Sequence, residues 1–167
     1  MSASSVSALD GLVARLETQL DTLDLVLAGA TPALLDARPA SGDWSARENL
    51  AHLARHATVF LERLARILTE DSPRVGRYRA EDDPDWPRWS DLPLDETVRR
   101  LWDVRARLIA WVKALTPEQV ARTGLHPSFG AMTIPQWLDF FLLHEAHHLY
   151  TALLCVAEAR RAQRPPG

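Results

Sequence analysis

A single cysteine, Cys155, stands among 167 residues, so no internal disulfide can staple the chain and its fold rests on packing alone. That scarcity of thiols fits a reducing compartment. Although 47% of the residues are hydrophobic, no run reaches the ~18 consecutive apolar residues of a membrane span. Nor is one sign of charge in excess. The net charge of −3 arises from interspersed acids and bases, which argues against nucleic acid as a partner. Met1-Ser2-Ala3-Ser4-Ser5 lacks the basic and apolar regions of a secretory signal, so a cytoplasmic protein with no membrane partner is expected. Strand-like alternation is missing too. What remains is helical pattern over a length suited to one domain with a substantial core.

Leu9, Leu12, Leu16, Leu20, Leu23 and Leu27 recur at spacings of three and four, which predicts an amphipathic helix from Val6 to Ala28. Gly29 and Thr31-Pro32 stop it, and a short turn is expected over Pro32–Ala37. Ser45-Ala46-Arg47-Glu48 has the form of a capping box. The helix it opens carries Leu50, Leu53, Ala57, Leu61, Leu64 and Leu68 inward, with His52 and His56 on a neighbouring face. From Glu70 to Pro93 four prolines and a glycine break every period, while Trp86 and Trp89 argue against disorder. This segment reads as an ordered crossover. A third helix spans Asp95–Ala114, with Val98, Leu101, Trp102, Leu108, Ile109 and Val112 inward. A short turn follows at Thr116-Pro117, then a loop over Arg122–Met132. Thr133-Ile134-Pro135 starts a last helix that continues to Ala159 and is apolar nearly all round, as a buried helix should be. Four long helices without a strand predict an all-α protein, a four-helix bundle in one domain over residues 1–160 with a flexible tail at 161–167.

The histidines carry the chemistry. His144 and His148 lie one turn apart on a helix, so both imidazoles point the same way and can share one ion. A third ligand from the second helix would fix that ion, and spacing alone leaves His52 and His56 as alternatives. A lone helical histidine usually bonds to backbone or faces water. A pair at that spacing, with a third on a separately capped helix, points to a metal. His147 is turned about 100° from His148 and suits an orienting role. Glu48, one turn before His52, can orient that ring or act as the capping partner of Ser45. His126 in the late loop is a candidate acid or substrate contact, and Trp44, with Trp86 and Trp89, can wall a pocket. His144-Glu145-Ala146-His147-His148 also satisfies the H-E-x-x-H pattern of zinc proteases. The extended form is absent, since Thr151 and Leu154 stand where it has glycine and histidine, and a protease is not expected.

These segments together resemble the DinB superfamily of metal-binding four-helix bundles, in particular its YfiT-like branch. The residues that carry the resemblance are Arg38-Pro39, Gly42-Asp43-Trp44-Ser45, Leu50-Ala51-His52-Leu53, the stretch from Ala121 to Gly130, Met132-Thr133-Ile134 and His144–Leu149, in that order over most of the chain. The resemblance implies a divalent metal, zinc or nickel, on His52, His144 and His148. It also implies up-down-down-up topology, which suits the long crossover between the second and third long helices, and a homodimer. The activity implied is transfer of a low-molecular-weight thiol, bacillithiol or mycothiol, to a small-molecule substrate. A hydrolase using metal-bound water and a non-catalytic metal-binding module are the alternatives. Arg74, Arg77 and Arg79 are then candidates to clamp an anionic thiol. Relatives often carry glutamine soon after the last histidine, where this chain has Tyr150-Thr151.

Overall fold

A computed structural model describes residues 3–164, with side chains described from residue 9 onward. The first long arm is not one unbroken helix. It consists of α1 (Ala3–Thr18), a 3-10 turn (Gln19–Asp21) and α2 (Thr22–Leu27). The Thr18 hydroxyl donates to the Ala14 carbonyl at 3.0 Å just before the break, a back-bond that competes with helix continuation. Next comes α3 (Pro32–Asp36), capped by the Thr31 hydroxyl. The second long helix, α4 (Ala46–Thr69), begins at the capping box: Ser45 Oγ accepts from the Glu48 N–H and Glu48 Oε2 accepts from the Ser45 N–H. After the crossover, which contains the five-residue α5 (Trp86–Ser90), come α6 (Leu94–Lys113) and the short α7 (Pro117–Val120). The fourth long helix is α8 (Ile134–Ala162).

The directions follow from who meets whom. Leu16 meets Arg105, and Leu20 shares a core cluster with Leu101, so α6 runs against the first arm. Arg15 pairs with Asp139, Gln19 reaches Glu145 and Arg160 reaches Ala28, so α8 runs along it. Asn49 meets His148 while Phe60 stacks on Phe141, so α4 opposes α8. The bundle is therefore up-down-down-up, and the crossover must return the full length of α4 before α6 can start.

Two differences from the sequence reading concern what lies inside. Trp102 is 40% exposed, whereas Leu101, Val104, Leu108 and Val112 are buried. Arg105 takes the remaining core position of that stripe. Its guanidinium is ion-paired with Glu145, both side chains 3% exposed or less, and donates to the Leu16 carbonyl at 2.6 Å. Gln19 Nε2 donates to Glu145 Oε1 at 2.9 Å and completes the cage. This polar layer lies between two apolar clusters, one around Phe60, Leu108 and Trp137, the other around Leu50, Leu101 and Leu149. Likewise α8 is not buried all round, since Leu143, Tyr150 and Leu154 face outward.

The expected loop at 122–132 is a hairpin instead. Strands β1 (Thr123–His126) and β2 (Gly130–Thr133) pair antiparallel, with His126 opposite Gly130. Gly130 has φ +70°, the left-handed setting that closes a three-residue hairpin loop. Four-residue strands are too short to show a period in sequence. Gly124 packs so closely on Ile67 that a Cβ there would lie 2.7 Å from its side chain. The last helix outruns its expected end at Ala159 and covers Arg161 and Ala162 of the expected tail, of which residues 165–167 lie outside the described residues.

Removing one member of the buried ion pair leaves the other charged and unsolvated. Arg105→Met is expected to lower unfolding free energy by about 3–5 kcal/mol, and Arg105→Met with Glu145→Leu to recover most of it. Urea denaturation of the two variants checks this. Equal losses in both would mean that the pair's burial is not what matters.

Candidate metal centre

The antiparallel seam of α4 and α8 sets His52 opposite His144 and His148. Their Nε2 atoms approach to 3.2 Å between His52 and His144. The ring centroids lie 4.4 Å apart for His52–His148 and 4.6 Å for His144–His148. One ligand nitrogen from each of the three falls within 4.8 Å of the others. Two facing ring nitrogens at such a distance share either a proton or a cation. His52 is buried, and the other two are half-buried.

A cation needs neutral rings, and the surroundings supply them. Burial, followed by the repulsion of His148, lowers His52 to about 3. Burial, then His148 and His52, lowers His144 to about 2. Burial, then His147, lowers His148 to about 4. The tautomer of His148 is also set. Asn49 Nδ2 donates to the carbonyls of Ser45, at 2.9 Å, and Trp44, at 3.3 Å. That turns Asn49 Oδ1 toward His148 Nδ1 at 2.8 Å. The ring proton therefore sits on Nδ1, and Nε2 keeps its lone pair. His52 Nδ1 and His144 Nδ1 are buried with no hydrogen-bond partner among the described residues. Three neutral imidazoles, one of them oriented from behind, are a donor set that suits a divalent transition metal.

His56, the other candidate on α4, has its ring centroid 4.0 Å from that of His144, tilted by 38°, but lies outside the converging set. It is 3% exposed, and burial, then His144 and His52, holds it well below its usual value. Glu48 takes the capping role: its two oxygens are engaged by the Ser45 N–H and by Arg38. His147 is exposed and meets His148 edge to face, with centroids 5.0 Å apart. Trp44 lies 4.9 Å from His52 and stacks on Trp86 at 5.2 Å. Trp89, in contrast, sits under the Arg100 guanidinium. Cys155 Sγ contacts the Trp44 carbonyl at 3.5 Å. His126 stands on the hairpin beside a cleft that His144 also lines. Glu145, the acid of the H-E-x-x-H pattern, points away from the histidines into the Arg105 pair and cannot act as their base.

Three residues went unsingled in the sequence. Asn49 shares the histidine face, a signal that was present. Tyr78 comes from the crossover, its ring 5.6 Å from both His52 and His56. Asp83 fixes it there: Tyr78 donates to Asp83 at 3.0 Å, and Arg55 forks onto the same carboxylate at 2.6 and 3.3 Å. That Arg55 bond is the main cause holding the Asp83 carboxyl below its usual range. Nothing in the non-periodic segment marks Tyr78 as a wall of the site.

A sequence profile of the DinB superfamily matches residues 15–152. A protein of Oceanobacillus iheyensis provisionally named metal-dependent hydrolase OB0782 is 29% identical over 118 residues, which is 69% of this chain and 66% of that one. The chain thus spans just under two thirds of that relative. The uncharacterized YuaE of Bacillus subtilis is 28% identical over 150 residues, 81% of this chain and 88% of its own. Among solved structures, YfiT from Bacillus subtilis, provisionally assigned as a metal-dependent hydrolase with an unusual four-helix bundle topology, matches with a TM-score of 0.74. That match covers 92% of this chain and 86% of YfiT at 23% identity, and it shows the shared fold.

Freed of metal by a chelator, the protein should lose stability on acidification. Unfolded histidines take up protons as pH falls below about 6.5, while the native cluster stays neutral down to about 4. Stability is then lost through this window at about 1.4 kcal/mol per pH unit for each histidine held neutral. Urea midpoints at pH 7.5 and 5.5 measure it, and a flat profile would show that the rings protonate freely.

Proposed function

This chain belongs to the DinB superfamily, and we propose that it is a metal-dependent enzyme that transfers a low-molecular-weight thiol, of the bacillithiol or mycothiol type, to a small electrophile. The proposed ligands of a divalent cation, zinc or nickel, are His52, His144 and His148. The observation that carries this reading is the convergence of three buried or half-buried imidazole nitrogens from two helices. When bound by three neutral ligands, such a cation keeps its full charge and an open position, which lowers the pKa of a thiol or a water held there.

The chain's own residues set the terms. Burial keeps the imidazoles unprotonated at neutral pH, and Asn49 aims His148 from behind. Trp44, Trp86 and Tyr78 shield His52 from water. Transfer forms a carbon–sulfur bond as the electrophile's leaving group departs, and the thiol proton passes to solvent. A thiol needs no carboxylate base, which suits a site whose motif acid, Glu145, is committed to Arg105. Hydrolysis at the same centre is the second reading, favoured by the provisional names of OB0782 and YfiT.

Metal analysis of untagged protein is expected to find one zinc or nickel per chain, lost in His144→Ala. Incubated with bacillithiol or mycothiol and a chromogenic electrophile, the loaded wild type should consume thiol, and the variant should not. Ester or amide cleavage without thiol would replace transfer by hydrolysis. Metal uptake with neither reaction would leave a binding module.

A further inference from the structure

Two clefts reach the histidines from different sides, and their polar linings differ in kind. The one beside His148 and Asn49, of 570 Å³, carries both signs of charge, with Arg38 set against Asp43 and Glu81. The one beside His144 and His56, of 360 Å³, has no acid in its lining. Its charged groups are Arg63 and Arg77. Arg63 rises half-buried from α4 and donates to the Gly76 carbonyl at 2.6 Å, which ties its fork to the crossover. Among the described residues neither arginine has a carboxylate partner, although ten other basic side chains do.

Of the other polar groups, His126 keeps a donor and Tyr78 does not. His126 Nδ1 accepts from the N–H groups of Ser128, at 3.1 Å, and Phe129, at 3.2 Å. Its proton therefore sits on Nε2. The Tyr78 hydroxyl proton is committed to Asp83. Phe129 and Phe140 supply apolar walls and hold the His126 ring between them and Trp137. A half-enclosed guanidinium without a counter-charge lacks the anion its geometry suits.

We propose that this cleft binds the carboxylate of a small acidic reactant, with Arg63 as its forked anchor, Arg77 closing from the rim and the apolar body lying on Phe129 and Phe140. The bound acid then presents its reactive end to His144, and the second reactant enters from the His148 side. The assignment deepens the transfer reading and rests on it for the reaction. Capture of the acid itself requires no metal.

Calorimetric titration of metal-free and zinc-loaded protein with phenylacetate and with phenylacetamide tests it. The acid should bind both forms, and the amide about tenfold or more weakly. Arg63→Met should weaken the acid about tenfold, Arg63→Lys less because it keeps charge without the fork, and Arg99→Gln on the far face of α6 not at all. Arg77→Gln should give a loss of several-fold and carries the test should Arg63→Met fail to fold. Equal binding of acid and amide, or full binding by Arg63→Met or by Arg77→Gln, overturns the proposal. His148→Ala separates the two readings: acid binding without zinc uptake supports this one alone, and zinc uptake by wild type without acid binding removes it while leaving the metal centre.

Discussion

The register of α4 against α8 governs the molecule. Because the helices run antiparallel, a residue near the start of α4 meets one near the middle of α8, and 92 positions of chain separate His52 from His144. Everything that makes the site distinctive follows from that seam. It puts Asn49 behind His148 and Phe60 on Phe141. It also places the histidines at the waist of the bundle, where α4, α8 and the crossover together bury His52 and leave His144 and His148 half-buried.

At that waist α8 has two tasks separated by one residue. His144 and His148 face α4 while Glu145 faces α1 and α6, since successive positions on a helix diverge by about 100°. The Arg105–Glu145–Gln19 layer divides the core into two apolar clusters and is satisfied internally. The histidine layer beside it is not, because two Nδ1 atoms and the Nε2 pair lack settled partners. One polar layer specifies how the helices dock. The other retains unspent bonding capacity, and that capacity is what a ligand can use.

Much of this was legible in the chain. Leucine spacing and the Ser45–Glu48 box located long helices, and the Thr-Pro starts located the short α3 and α7, because capping and periodicity act within a few residues. The histidine pair was equally plain. What escaped depends on distant partners. A charged residue such as Arg105 is expected by type to face water, and only its partner Glu145 explains its burial. Trp102 looked like core by residue type, but the stripe through Leu101, Val104 and Leu108 left it outside. The hairpin has strands too short for a pattern, and Tyr78 is placed by the Arg55–Asp83 fork rather than by any local preference.

Parallel α4 and α6 oblige residues 70–93 to travel back along the bundle. The 24-residue α4 is about 36 Å long, a distance that roughly eleven extended residues would cover. The rest is slack, and from it come Arg77, Tyr78 and Trp86 at the rim of the histidines. Lineages can therefore redraw what this pocket admits by exchanging a few strap residues, provided the ties to α4, Arg55 on Asp83 and Arg63 on the Gly76 carbonyl, are kept.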